Sequence, residues 1–171
     1  MATESSLAFG GNLGDPVAAF AAALIALRRH PGVKLGQLSP VYRTPPWGKI
    51  DQPEFLNMAA RIETTLTADD LLALCLELER AGGRERRERW GPRTLDIDIL
   101  TYGETAIDRP GLQIPHPRIA ERAFVLAPLA QILPAKVIGG RTVAALLEAI
   151  ADETIRRDDA ATDRLKRLLA E

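Results

Sequence analysis

The chain has 171 residues, 46% of them hydrophobic and 26% charged, with a formal net charge of −1. That length and balance predict one soluble globular domain with a sizeable core and exclude a fibrous or disordered chain. Near-neutral charge argues against a dedicated nucleic-acid binder, whose surface is usually basic, and no apolar run approaches membrane-spanning length. Residues 1–6 lack the basic start and hydrophobic stretch of a secretory signal, so a cytoplasmic protein is expected. The single cysteine, Cys75, sits among leucines and reads as core filler.

Residues 6–9 predict a short strand. It runs into Gly10-Gly11-Asn12-Leu13-Gly14-Asp15-Pro16, a turn in which Asp15 caps a helix and Pro16 takes its first position. As a phosphate loop this turn is weak, because it lacks both the Walker ending and the third glycine of a dinucleotide fingerprint. Residues 17–29 place Phe20, Leu24 and Leu27 on one helical face, ending at Pro31-Gly32. One extended strand is expected over 33–43, then a proline-rich loop over 44–53 containing Trp47, either a lid over the core or a cover for a ligand. Residues 55–63 alternate in strand period. Leu56, Met58, Ala60 and Ile62 point to the core, and Phe55 and Asn57 share the other face, a ring beside an amide. Thr67 caps the next helix, whose stripe is Leu71, Leu74, Cys75 and Leu78 before Gly82-Gly83.

Residues 94–100 alternate again: Leu95, Ile97 and Ile99 face one way, Thr94, Asp96 and Asp98 the other. Two carboxylates about 7 Å apart on one face of an apolar strand repel and resist desolvation unless a cation joins them. Hard oxygen ligands favour magnesium over zinc. Upstream stand Arg84, Arg86, Arg87, Arg89 and Arg93, with Gly91-Pro92 fixing the turn between the two sets. The adjoining cations and carboxylates predict a site for a polyphosphate and its metal. Downstream, His116 lies between prolines, a helix is expected from 122 to 133, and Thr142 caps another after Gly139-Gly140, running to 151. Residues 152–171 read as a charged tail with a frayed helix over 164–169. The main order, strand-helix-strand-strand-helix-strand, predicts an α+β fold. It is a ferredoxin-like split βαβ antiparallel sheet with both helices on one face and additional C-terminal helices over the other, in αβα layers.

Assembled, these stretches closely resemble the 6-hydroxymethyl-7,8-dihydropterin pyrophosphokinase family. The blocks are Gly10-Gly-Asn-Leu-Gly-Asp15, Tyr42-Arg-Thr-Pro-Pro46, Asp51-Gln-Pro53 with Phe55-Leu-Asn57, Arg89-Trp-Gly-Pro-Arg-Thr-Leu-Asp-Ile-Asp98, and Pro115-His-Pro-Arg118 with Glu121-Arg-Ala-Phe124. The resemblance covers residues 7–150 and implies transfer of the terminal pyrophosphoryl group of ATP to the hydroxymethyl oxygen of the pterin, with release of AMP. It implies that Asp96 and Asp98 hold two Mg2+ ions and that Arg84 and Arg93 neutralise the transferring group. Glu79, Ile99, His116 and Arg122 would join the ATP site. Phe55 and Phe124 would stack the pterin, Asn57 and the stretch Thr44, Pro45 and Trp47 would read its edge, and Trp90 would close with the arginine loop. Loops 44–53 and 82–90 are expected to move without ligand and close over it. The expected units are residues 1–151 as the pyrophosphokinase domain and 152–171 as the tail. The expected partners are the two small substrates only, with no nucleic acid and no membrane, and the expected state is a monomer, a homodimer being the alternative.

Two rivals come from other classes. An RNA-binding module on the same fold would show aromatics on its central strand, where this chain shows aspartates. A metal-dependent nucleotidyltransferase or nuclease would need a third carboxylate converging on the metals.

Overall fold

An interior strand of the sheet, β1 (Thr3–Gly11), carries the floor of the molecule's pocket-bearing face. The computed structural model describes residues 1–45, 51–83, 94–150, 152 and 154–171. Antiparallel partners flank β1 on both sides, β4 (Phe55–Thr64) and β5 (Asp96–Tyr102). The alternation of β1 separates two cores: Leu7 and Phe9 are buried in one, while Ala8 is half-buried against the other.

Between β1 and β4 the chain forms α1 (Pro16–Arg29), β2 (Val33–Leu38) and β3 (Tyr42–Thr44). Asp15 caps α1 by accepting from the Ala18 N–H at 3.2 Å. Phe20, Leu24 and Leu27 are fully buried, each such burial contributing about 1.5–3 kcal/mol, and Phe20 meets Phe9 edge-on at 6.1 Å. The single strand anticipated over 33–43 is two strands, both paired to β4. They part at Ser39-Pro40, because proline has no N–H for the ladder. The Ser39 hydroxyl meets the need there, accepting from the Ala59 N–H at 2.8 Å.

α2 (Ala68–Ala81) follows β4 and starts at Thr67, whose hydroxyl accepts from the Asp70 N–H at 3.1 Å. Its buried face holds Leu71 and Cys75 as anticipated, while Leu74 and Leu78 are half-buried and Glu79 is buried. Burial pushes the Cys75 thiol up to about 12, aided by the charges of Glu79 and Asp98, so it stays a neutral core group. α1 and α2 cover one face of the sheet.

After β5 come a hairpin, β6 (Ile107–Arg109), where the sequence suggests a short extended piece near 106–107, and β7 (Leu112–Ile114), and a 3-10 turn over Ile119–Glu121. Then α3 (Ala123–Ile132), the short pair β8 (Val137–Ile138) and β9 (Arg141–Thr142), and α4 (Val143–Ala149) close the second core. Gly139 and Gly140 take φ values of +60° and +82° in the turn between β8 and β9, a conformation glycine adopts without strain. Leu126, Leu129 and Val143 are fully buried there against Ala59 and Leu100 of the sheet.

The segment after 152 differs from the frayed helix anticipated over 164–169. It forms β10 (Arg156–Arg157), paired to β3, and a 12-residue helix α5 (Asp159–Ala170) packed on α1. The sheet reads β10-β3-β4-β1-β5, with β2 also on β4. That is the split βαβ order between two helical layers.

Candidate active site

Strand register sets the floor of the site. On β1, Gly10 lies opposite Asn57 of β4 on one side and Asp96 of β5 on the other; two residues back, Ala8 lies between Ala59 and Asp98. The middle row therefore presents only a hydrogen and a methyl, which leaves space between the aromatic strand and the acidic one. A Cβ at position 10 would stand 3.0 Å from Asn57 Oδ1, so the small residue is a condition of the pocket.

That space is an open pocket on the sheet face. Thr44 and Pro45 at the end of β3 form one wall with Phe55 and Asn57, Ala8, Phe9 and Gly10 the floor, Asp96 and Asp98 the acidic edge, and Arg122, Phe124 and Val125 the side supplied by α3. Asn57 is buried and donates from Nδ2 to the Thr44 hydroxyl at 2.9 Å, so its amide is held at a set angle toward the pocket. The Arg122 guanidinium stacks over the Phe124 ring, 5.7 Å from its centroid, a cation–π contact that orients both.

Eight of the anticipated residues, Thr44, Pro45, Phe55, Asn57, Asp96, Asp98, Arg122 and Phe124, thus line one cavity. His116 is half-buried beside it. Its backbone N–H donates to the Leu100 carbonyl at 3.1 Å, and its Nδ1 accepts from the Arg118 N–H at 3.2 Å. Burial pushes the imidazole below its ordinary range; Asp98 opposes this, while Arg122 and Arg118 reinforce it.

Two anticipated ATP contacts lie elsewhere. Ile99 faces the layer of α1 and α2, because strand alternation sends it opposite to Asp98. Glu79 lies in that same layer, 5% exposed, where Oε1 accepts from the Ile97 N–H at 2.8 Å. There it fixes the backbone between the two aspartates from behind the sheet. Trp47, Arg84, Trp90 and Arg93, and most of the two loops expected to close, lie outside the described residues. Sequence reasoning had treated Gly10 only as part of a turn and had left out Ala8 and Val125; the signal for the first two was their place on the same alternating face, legible only once β1 is known to lie between β4 and β5.

Among the described residues no three His, Cys, Asp or Glu side chains cluster in a way that could hold a metal. The described donor set is the aspartate pair, whose Asp96 Oδ1 is buried at the pocket edge. Hard carboxylate oxygens in small number fit an ion that keeps water and substrate phosphates in its shell, as Mg2+ does.

Fold and pocket together define a ferredoxin-like α+β protein in which an aromatic and amide wall faces an acidic edge. A family model described as 7,8-dihydro-6-hydroxymethylpterin-pyrophosphokinase (HPPK) matches residues 6–134, and the chain belongs to that family. A 2-amino-4-hydroxy-6-hydroxymethyldihydropteridine pyrophosphokinase of Methylorubrum extorquens is 46% identical over 155 residues, covering 91% of this chain and 98% of the relative. One of the same name from Pseudomonas aeruginosa is 44% identical over 152 residues, covering 88% and 94%. Among solved structures, wild-type Plasmodium falciparum HPPK-DHPS with STZ-DHP superimposes with a TM-score of 0.71 at 14% identity, covering 92% of this chain and 47% of that one. The same wild-type protein with SDX-DHP gives 0.72, also at 14% identity, covering 92% and 48%. This chain spans about half the length of those two, and at that identity the likeness shows the fold.

Proposed function

We infer that this chain is the pyrophosphokinase of folate biosynthesis, transferring the terminal pyrophosphoryl group of ATP to the hydroxymethyl oxygen of 6-hydroxymethyl-7,8-dihydropterin. The observation that carries this reading is the pocket in which a ring-and-amide wall faces two carboxylates across a row of small residues. The hydroxymethyl oxygen bonds to the β phosphorus as the bond from that phosphorus to the α–β bridging oxygen breaks. AMP leaves with the bridging oxygen, and the hydroxyl proton passes to solvent.

Phe55 and Phe124 stack the pterin, and Asn57, held by Thr44, reads its hydrogen-bonding edge. Asp96 and Asp98 would hold two Mg2+ ions, which when bound would neutralise the triphosphate and polarise its phosphoryl oxygens. Arg122 and His116 lie on the side where the phosphates would extend, and Arg84 and Arg93 supply further positive charge. Phosphoryl-type transfer needs little covalent help, so the residues act by positioning and charge stabilisation and no general base is assigned. No described helix is long and apolar enough to cross a membrane. We place the reaction in the cytoplasm, where ATP is held.

The test is nucleotide product analysis after incubation with ATP, magnesium and 6-hydroxymethyl-7,8-dihydropterin, with Asp96→Ala as control. AMP formed one-for-one with pterin consumed, and absent from the control, supports the reading. ADP, or no pterin-dependent product from folded protein, overturns it.

A further inference from the structure

We propose that the C-terminal segment from β10 through α5 is a positioning brace for the pterin wall of the pocket, with Asp158 as its principal residue. β3 is only three residues long, yet it ends in Thr44 and leads to Pro45, both of which line the pocket. A strand of three residues has few ladder bonds of its own. The C-terminal segment ties it from the outer side.

Asp158 makes two of these ties and also starts the helix. Its backbone N–H donates to the Val41 carbonyl at 2.8 Å. Its Oδ2 accepts from Arg43 Nε and an Arg43 terminal nitrogen at 3.1 and 2.6 Å. Its Oδ1 accepts from the Ala161 N–H at 2.9 Å, capping α5. One turn on, the Thr162 hydroxyl accepts from the Val41 N–H at 2.9 Å, so both backbone groups of Val41 are satisfied by this segment. Arg156 reaches Glu54 at 3.3 Å, at the far end of the loop that starts from β3. Both stems of that loop are therefore fastened to residues 156–158.

The same segment holds the floor. Arg164 grips both carboxylate oxygens of Asp15 at 2.6 and 2.5 Å, at the end of the glycine turn that begins at Gly10. Asn12, within that turn, donates to the Pro53 carbonyl at 2.9 Å and so joins the two loops. None of the brace residues is among those that line the pocket. The brace sets where Thr44 stands, and Thr44 in turn holds the Asn57 amide.

The proposal rests on the pterin reading, and its test separates the two. Asp158→Asn keeps a side chain that caps α5 but removes the ionic tie to Arg43, and Arg43→Met removes the same tie from the other side. Hydrogen exchange read by mass spectrometry should rise at residues 41–44 in both variants and stay unchanged in α3. In steady-state kinetics the pterin KM should rise about fivefold, with kcat and the ATP KM within about twofold, as expected for a displaced binding wall. Arg43→Lys, which keeps a charge beside Asp158, should recover most of the loss. Unchanged exchange at 41–44 in folded variants would overturn the brace whatever the enzyme's substrate. Faster exchange with an unchanged pterin KM, or equal losses in kcat and both KM values, would overturn its positioning role. If the wild-type chain neither bound nor consumed the pterin, the functional reading would fail and the exchange measurement would still decide the brace.

Discussion

Asp96 and Asp98 share one face of β5 at the edge of the pocket, where a cation would meet both carboxylates. Replacing either by asparagine should lower turnover by about 100- to 1,000-fold, the scale of a lost transition-state contact. Gly10 is the steric counterpart. Its strand backbone accepts alanine, but the new methyl meets Asn57 Oδ1 at 3.0 Å and must push the amide aside. Gly10→Ala should raise the pterin KM roughly tenfold, with stability within about 1 kcal/mol of wild type, as separate kinetic and denaturation measurements would show.

Among elements, the tie between β3 and α5 carries a pH signature. Burial alone would raise the Asp158 carboxyl, but the Ala161 N–H and the Arg43 guanidinium outweigh it and hold the group below the ordinary carboxylate range. Asp15 is likewise held low, chiefly by its hydrogen bond to Arg164. A carboxyl depressed in the folded state stabilises fully above its unfolded pKa, ~3.9, and that contribution is lost as pH falls through the lower folded value. Urea midpoints taken from about pH 5 to about pH 2 should therefore fall toward the acid end, and Asp158→Asn should flatten part of that fall. His116 runs in the same sense, since an imidazole kept neutral by burial resists the proton that the unfolded chain accepts.

Over the whole molecule, α5 belongs to the main core. Leu165 is 2% exposed in the same cluster as Phe9, Phe20 and Leu24. Leu165→Ala should cost about 2–5 kcal/mol, and probes of α5 and of the sheet should report one transition in circular dichroism and fluorescence melts. The features legible in the sequence were those that depend on near neighbours along the chain. The caps at Asp15, Thr67 and Thr142, the buried stripe of α1, and the alternation that puts Asp96 and Asp98 on one face all follow from spacing within a turn or a strand. The αβα order followed from the succession of those elements. What only the tertiary structure decided depends on residues far apart in the chain. Cross-strand register placed Gly10 between Asn57 and Asp96. The burial of Glu79 required α2 to lie behind Ile97, and the docking of residues 156–170 required Val41 and Arg43 to offer an edge more than a hundred residues away. Local period tells which way a side chain points; which partner it meets is set by packing the layers together.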